Sequence, residues 1–293
     1  MIRLAVISGK GGTGKTMITG ALAQLLPGKL VLADCDVDAA NLELLVNPKL
    51  LWTEPFMGMK TAVIDPALCT QCGECMEHCR FGAIERDGEL FRVNPLRCEG
   101  CAVCVHVCPV ATTMQPRQTG EINYSETDRG HLVHARLVPG AGNSGLLVHA
   151  VKKMAMEQDR DCDLFLLDGP PGTGCPLIST ISGVDAVLIV TEPSVSGLHD
   201  LKRVVAVCRQ FRPHIFVAIN RFDLEQSLTD TIQTWCREEN IPVIGMIPFD
   251  SAVIEAVRNG RAVTFTGASP AAQAIQILAA KLEQELTNLD NKQ

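Results

Sequence analysis

Two runs of four cysteines each have a spacing that suits thiolates for holding iron. In each run, the first three cysteines are separated from one another by two residues, and the fourth follows after three intervening residues. With this spacing a run holds one [4Fe–4S] cluster through its first three thiolates and sends its fourth to the neighbouring cluster. The expected ligand sets are Cys69, Cys72, Cys75 and Cys108 for one cluster, and Cys98, Cys101, Cys104 and Cys79 for the other.

Zinc sites and disulfides are the alternative uses of these cysteines. Zinc usually takes its four ligands as two separated pairs, sometimes with histidine, whereas here they form two quartets. Disulfide frameworks are typical of short secreted chains, and residues 1–8 predict a strand and not a signal peptide. We therefore favour two clusters in a reducing cytoplasm. The other cysteines are expected to fill the core: Cys35, Cys162, Cys175, Cys208 and Cys236.

A glycine-rich loop after the first apolar run could bind the phosphates of a nucleotide. It fits the pattern G-x-x-x-x-G-K-[ST] between a predicted strand and a predicted helix, and consists of Gly9, Lys10, Gly11, Gly12, Thr13, Gly14, Lys15 and Thr16. The backbone amides would face the phosphates, Lys15 would neutralise their β and γ oxygens, and the Thr16 hydroxyl would ligate Mg²⁺.

The elements around these motifs alternate between short apolar strands and helices. Near-continuous apolar strands such as 186–190 indicate a parallel sheet covered on both faces. The fold class is therefore α/β, with a doubly wound, mostly parallel sheet in a nucleotide-binding domain made of two parts, 1–63 and 116–293. The cysteine runs form an insert at 64–115. Residues 120–138 alternate apolar and polar side chains, which predicts an antiparallel hairpin or meander.

Composition limits the possible partners. The net charge of −7 and the isoelectric point near 5.5 argue against nucleic acid as the main partner. No apolar run is long enough to span a bilayer. The polar end of the chain predicts a solvated helix and not a stable membrane anchor.

Lys10, directly after the first glycine, makes the loop resemble the deviant phosphate loop of the MinD/ParA and nitrogenase iron protein superfamily. The cysteine runs resemble a bacterial-type ferredoxin with two [4Fe–4S] clusters, except that Arg80 and not proline follows Cys79. Together the motifs resemble those of MinD-superfamily P-loop ATPases that contain an inserted ferredoxin domain. The resemblance implies that Lys10 reaches across an ATP-dependent interface, in a homodimer or a heterodimer with a similar ATPase. An ordinary surface lysine is the alternative.

The same resemblance implies roles for two switch segments. Residues 34–41 resemble switch I, in which a carboxylate orients the attacking water; Asp36 is the first candidate and Asp38 the second, and either could instead hold a magnesium-bound water. Residues 166–174 resemble the Walker B and switch II segment. There Asp168 would hold Mg²⁺ through water, and the Gly172 amide would sense the γ-phosphate.

Two later segments resemble the adenine-binding loops of this superfamily. Asn220 and Arg221 follow one predicted strand, and Asn220 would read the adenine amino group. Pro248, Phe249 and Asp250 follow the next strand and would close over the ring. The sequence has no Asn-Lys-x-Asp guanine motif, so ATP is favoured over GTP. An ordinary turn is the alternative for either segment alone.

The sequence therefore predicts an ATPase that couples an ATP-dependent dimer switch to electron transfer through two [4Fe–4S] clusters, with a redox or protein partner of unknown identity. One alternative is a positioning or scaffold ATPase of the MinD/ParA kind, whose clusters are structural or redox-sensing. Another is an iron-sulfur cluster assembly carrier. The Asp-x-Pro-Pro-Gly-Thr sequence at 168–173, within the switch II segment, most resembles that of the Mrp branch. That branch also has a Cys-x-x-Cys motif near its C-terminus, which this sequence lacks.

Overall fold

The structure is a computed structural model that describes residues 1–263 and 269–290, and the chain divides into two compact units. The first unit comprises Met1–Thr53, Ile122–Arg136 and the chain from Ser144 onward. The second comprises Glu54–Glu121 and Leu137–Asn143, and contains both cysteine runs. It is wider than the expected insert, 64–115, because the strands that flank the cysteine runs belong to it.

In chain order, the described residues form β1 (Ile2–Ser8), α1 (Lys15–Leu25), β2 (Leu30–Asp34), α2 (Glu43–Val46), β3 (Lys49–Phe56), β4 (Met59–Ile64), α3 (Glu74–Glu77), β5 (Ile84–Asp87), β6 (Leu90–Val93), α4 (Val103–Val107), β7 (Thr112–Arg117), β8 (Gly120–Thr127), β9 (Gly130–Leu137), α5 (Ser144–Gln158), β10 (Leu164–Pro171), α6 (Cys175–Ile181), β11 (Ala186–Thr191), α7 (Val195–Phe211), β12 (His214–Asn220), α8 (Gln226–Glu238), β13 (Val243–Ile247), α9 (Ser251–Arg258) and α10 (Pro270–Asp290).

Nine of the described strands form one sheet, in the order β13-β12-β11-β1-β10-β2-β9-β8-β3. All neighbouring pairs from β13 to β9 are parallel. Every residue of β2 and of β11 is buried, so both faces of the sheet are covered at these strands. The predicted doubly wound, mostly parallel sheet is confirmed. In such a sheet the loops after β1, β2, β10, β12 and β13 meet at the carboxyl edge, where ligands bind.

Some element boundaries differ from those predicted, for local reasons. The apolar pattern after the phosphate loop predicts a helix from Met17, but α1 begins two residues earlier, at Lys15, because Gly14 adopts a left-handed conformation and accepts the Ile18 amide. The apolar run from Leu164 predicts a strand that ends at Asp168, but β10 continues to Pro171 because it stays paired with β1 up to Ser8. The strands of the predicted hairpin at 120–138 form as β8 and β9, and β9 also pairs in parallel with β2.

The second unit is built from two similar halves around the cysteine runs. Strands β4 and β7 pair antiparallel, as do β5 and β6. Each run leads into a short helix through a residue in the left-handed region, Gly73 before α3 and Ala102 before α4. The turn before each run is held by a polar side chain: Asp65 accepts the Ala67 amide, and Asn94 accepts the Leu96 amide. The halves therefore repeat one local geometry.

The remaining cysteines and the helices bear on two further predictions. Cys35, Cys162, Cys208 and Cys236 are buried, as expected, but Cys175 is exposed because it begins α6 at the surface. Burial raises the pKa of the Cys35 thiol to about 12. Of the helices within 1–263 and 269–290, none has both the length and the apolar character needed to cross a bilayer.

Candidate functional site

The side chain of the last residue of β12, Asn220, holds the phosphate loop in place. Asn220 is 4% exposed, and its Nδ2 donates a hydrogen bond to the Thr13 carbonyl at 2.8 Å. Gly14 has φ +88°, and a Cβ there would lie 2.4 Å from the same Nδ2, so glycine is required at this position. The loop therefore keeps its shape through contacts within the chain itself.

Lys15 lies at the centre of a buried charge cluster. Its Nζ is 2.9 Å from Asp168 Oδ1 and 3.7 Å from Asp36 Oδ2. Thr19, one helical turn after Lys15, donates its hydroxyl to the same Asp168 oxygen at 2.9 Å. Burial lowers the pKa of Lys15, but the charge and hydrogen bond of Asp168 outweigh burial, so the net pKa is raised and the ammonium stays charged.

Asp168 keeps one oxygen available for a further ligand. Its Oδ2 is buried and has no hydrogen-bond partner among the described residues, and the same is true of Thr13 Oγ1. A buried polar atom without a partner is costly, so an ion, a water molecule or a phosphate oxygen would stabilise it. Together with the Thr16 hydroxyl, this carboxylate suits the oxygen ligands that Mg²⁺ prefers.

Asp34 is a site residue that the sequence analysis did not assign. It is 0% exposed, and burial together with the nearby charge of Asp168 raises its pKa to about 7. The neighbouring Asp36 is half-buried; burial raises the pKa of Asp36 as well, while the charge of Lys15 opposes the shift. A charged residue at the end of the buried apolar run Leu30–Ala33 is the sequence signal that could have identified Asp34.

One cavity of about 780 Å³ collects most of the predicted nucleotide-binding residues. Its lining includes Gly11, Gly12, Thr13, Gly14, Lys15, Thr16, Asp36, Asp38, Asn220, Arg221, Pro248, Phe249 and Asp250. The carboxylate of Asp250 also caps α9 by accepting the Ala252 amide, and it accepts the Ala271 amide. The Asp250 side chain therefore holds the loop in place.

Two groups that were predicted to contact the nucleotide instead form hydrogen bonds within the chain. The Gly172 amide donates to the Ser8 carbonyl at 3.0 Å, because β10 stays paired with β1 up to Pro171. In this arrangement the amide faces β1, so contact with a γ-phosphate requires this bond to break. The Asn220 amide group bonds to Thr13 and to the Arg221 amide, so its assignment to adenine stays a prediction.

Lys10 is held by residues that follow β11. Its Nζ lies 2.6 Å from Glu192 Oε1, 3.0 Å from Ser194 Oγ and 2.9 Å from Ser196 Oγ. Glu192 also pairs with Arg221 at 3.3 Å. The sequence analysis missed these partners, which are far from Lys10 along the chain. The cross-dimer role of Lys10 stays a prediction.

The first predicted cysteine quartet is grouped within the second unit. Cys75 is buried, and Cys72 is exposed. Burial raises the pKa of the Cys75 thiol most, followed by the nearby thiols of Cys108, Cys69 and Cys72. Cys108 comes from the other run, so the chain brings together the four residues expected for one cluster.

The second predicted quartet lines a small cavity, which also contacts Phe81 and Met114. Its cysteines are Cys79, Cys98, Cys101 and Cys104. Burial and the thiols of Cys98 and Cys101 raise the pKa of Cys104. The Ala83 amide donates to Cys79 Sγ at 3.4 Å.

Each predicted quartet has the donor set of a [4Fe–4S] cluster, four cysteine thiols. In the described ranges no three His, Cys, Asp or Glu side chains converge on a single-ion site. A [4Fe–4S] cluster is held by four thiolates, one on each iron, so its ligands surround a cube and do not converge on one point. Both quartets provide the required donor type and number.

Comparison with known proteins gives a consistent family match. Residues 4–263 match the CobQ/CobB/MinD/ParA nucleotide binding domain. An uncharacterized protein of Methanocaldococcus jannaschii is 32% identical over 225 residues, which cover 75% of this chain and 78% of that protein. The iron-sulfur cluster carrier protein of Pyrococcus abyssi is 27% identical over 139 residues, only 43% of this chain and 47% of the carrier.

Solved structures share the fold. The cell division ATPase MinD of Pyrococcus furiosus aligns with a TM-score of 0.59 at 20% identity, covering 97% of this chain and 99% of MinD. The septum site-determining protein MinD of Pyrococcus horikoshii, solved in complex with Mg-ADP, aligns with a TM-score of 0.59 at 18% identity, covering 98% of each chain. At these identities the likeness concerns the fold alone.

Proposed function

The chain belongs to the CobQ/CobB/MinD/ParA family of nucleotide-binding proteins, and from this premise we propose that it is an ATPase that couples an ATP-dependent dimer switch to electron transfer. Two [4Fe–4S] clusters would carry the electrons, and the reducing cytoplasm would keep their ligand cysteines from forming disulfides. One observation carries the proposal: a phosphate pocket with a buried lysine lies in the first unit, and two complete cysteine quartets lie in the second.

The first unit has the groups that ATP hydrolysis needs. The amides of the phosphate loop and the buried charge of Lys15 would bind the phosphates. Asp36, whose carboxylate is 3.7 Å from Lys15, would accept a hydrogen bond from the attacking water and orient it. Mg²⁺, held by Thr16 and Asp168, would neutralise charge on the transferring phosphoryl group. The MinD of Pyrococcus horikoshii, which was solved in complex with Mg-ADP, supports the binding of magnesium with an adenine nucleotide.

The second unit would supply the one-electron chemistry. Its crossed quartets would hold one cluster each, as in bacterial ferredoxins. Cys72 of the first quartet and Cys101 of the second are exposed. An exposed ligand brings a cluster close to the protein surface, where a redox partner can approach it. Dimer formation on ATP, with Lys10 at the interface, would change which partner can do so.

Anaerobic purification and electron-transfer assays test the proposal. The pure protein should contain about eight irons per chain, four for each cluster. After chemical reduction, transfer of electrons to an added cytochrome c is compared with ATP, with ADP and without nucleotide. Different rates in these three conditions are expected. Equal rates in the three conditions would refute the coupling of ATP to electron transfer. Zinc in place of iron would refute the clusters but would leave the proposed ATPase activity intact.

A second candidate function is that of an iron-sulfur cluster carrier, favoured by the partial match to the Pyrococcus abyssi carrier. Four thiolates for each cluster argue against easy release, because transferable clusters need ligands that exchange. ATP-dependent loss of the cluster absorbance to an apo-ferredoxin would support the carrier function. A positioning ATPase of the MinD/ParA kind would instead bind its partner equally well with reduced and oxidised clusters.

A further inference from the structure

Asp34 ends β2, and its buried carboxylate binds the backbone of the loop that follows. Its Oδ1 accepts the Asp36 amide, and its Oδ2 accepts the amides of Asn41 and Leu42, each at 3.0 Å. The side chain is fully buried. One side chain thus ties both ends of the loop 35–42 to the end of the strand.

This set of bonds needs two acceptor oxygens on one side chain. Asparagine has a single oxygen, and its amide nitrogen would face another donor; serine and threonine also have only one oxygen. Charge-assisted bonds from backbone amides to a carboxylate are stronger than bonds to a neutral acceptor. The geometry at this position therefore calls for a carboxylate.

The position is also electrostatically unfavourable. Asp34, Asp36 and Asp168 all lie close enough to Lys15 to affect its pKa, so three carboxylates share one lysine charge. Burial of a charged group costs free energy unless hydrogen bonds compensate for it. A neutral residue at the end of the strand would avoid the free-energy cost of burying a charge. We therefore expect the carboxylate to contribute through its hydrogen bonds to the loop 35–42.

The loop carries the carboxylates that face the phosphate site. Asp36 and Asp38 both line the 780 Å³ cavity. The helix after the loop is fixed separately, because Glu43 of α2 forms an ion pair with Arg136 and lies 3.1 Å from His134 Nδ1. The bonds to Asp34 therefore set the position of the segment between β2 and α2.

We propose that Asp34 is a positioning residue for ATP hydrolysis: its carboxylate holds the backbone of Asp36, Asn41 and Leu42 so that Asp36 faces the phosphate site. This rests on the ATPase function proposed above. The phosphate loop, which would bind the triphosphate, is held by Asn220 and not by Asp34, so only a small change in ATP affinity is expected when Asp34 is replaced. The expected effect is on kcat and not on ATP affinity.

Asp34→Asn tests the proposal in the full-length protein, with Asp163→Asn as a matched control. Asp163 also accepts a backbone amide, that of Lys29 at 2.8 Å, but it precedes β10, at the edge of the sheet away from the site. Three quantities are measured for each protein: hydrogen–deuterium exchange resolved to single amides, the dissociation constant of ATP, and kcat for hydrolysis.

In the wild type, the amides of Asn41 and Leu42 are expected to exchange at least about tenfold more slowly than in an unstructured peptide. Asp34→Asn should remove most of this protection and lower kcat by about tenfold to a hundredfold, because small displacements of a reacting group have effects of that size. The dissociation constant of ATP should change by less than about threefold, which is the signature of a loss confined to the transition state. Asp163→Asn should leave all three quantities unchanged.

Three results would overturn the proposal: unprotected Asn41 and Leu42 amides in the wild type, unchanged kcat in Asp34→Asn despite a loosened loop, or a fall in kcat matched by an equal loss of ATP affinity. If Asp34→Asn fails to fold, the exchange of the wild-type amides still decides whether the carboxylate holds the loop. A wild type that binds ATP without hydrolysing it would instead refute the proposed ATPase, and that result is read before any variant is made.

Discussion

The two units differ in what stabilises their candidate sites. In the first unit the site is built by bonds within the chain: Lys15 with Asp168, and Asn220 with Thr13. In the second unit the buried group of Cys75, Ile84 and Phe91 is small, and other cysteines of the two runs pack against it. Small units rarely bury enough apolar area to be stable alone and often depend on metal. We infer that the first site exists before its ligand binds and that the second depends on its ligand.

Removal of iron from the proposed clusters has the largest expected effect, and it tests whether the second unit depends on its ligand. Treatment with a chelator and an oxidant should raise amide exchange across 65–111 towards unfolded rates, because a core of this size contributes only a few kcal/mol. Exchange in β1, β2 and β10, and the affinity for ATP, should stay unchanged. Persistent protection across 65–111 after iron loss would show that the second unit also stands without its ligand.

Lys15→Ala tests the other side of the comparison. Loss of the only lysine in the buried cluster should weaken ATP binding by about a hundredfold or more, since a charge-assisted contact to phosphate is lost and Asp168 and Asp36 then repel the ligand. The cluster absorbance should survive. Calorimetric titration and visible spectra measure the two effects, with Lys29→Ala as control because Lys29 is an exposed lysine near Asp159. Bleached clusters in Lys15→Ala would contradict independent sites.

Lys10→Ala should have a smaller effect, which separates binding from turnover. The Lys10 ammonium bonds to Glu192, Ser194 and Ser196 and is absent from the cavity lining. ATP affinity of the single chain should therefore change by less than about threefold, while hydrolysis falls by about tenfold or more through the lost charge at the transition state. Normal turnover in this variant would count against the role of Lys10 at a dimer interface.

The smallest expected effect concerns acid stability of the first unit. Arg3 binds Asp185 through its side chain at 2.9 Å and through its backbone amide at 2.8 Å. Burial alone would raise the pKa of Asp185, but the bonds to Arg3 outweigh it and lower the pKa below its usual value. The stabilisation is thus present above the unfolded pKa and is lost as the pH falls through the lower, folded pKa.

Asp185→Asn should lower the free energy of unfolding by about 1 kcal/mol at neutral pH, because the partner is partly exposed. The difference from wild type should shrink below about pH 4, the usual range of an aspartate pKa. Urea unfolding followed by exchange in β1 and β11 measures both. An equal loss of protection in the cysteine-rich unit would mean that the two units unfold together.

Local patterns allowed much of the fold to be predicted. Apolar runs and the glycine loop predicted β1, α1 and the strands from β10 to β13 within a few residues. The parallel pairing of β9 with β2 could not be predicted, because the alternation in 120–138 shows which residues face inward and not which strand lies beside them. The start of α1 was missed because it depends on the conformation of Gly14.

By itself, the sequence determined the types and spacing of the reactive groups: the two cysteine quartets, the phosphate loop with Lys10 and Lys15, and the carboxylates after β2 and in β10. Only the tertiary structure decided their partners. Asp34 binds the backbone of the loop that follows it, whereas Lys10 binds Glu192 and the Gly172 amide binds Ser8 because β11 and β10 lie beside β1. A motif is a property of neighbours along the chain, whereas a buried charge or amide takes its partner from neighbours in space.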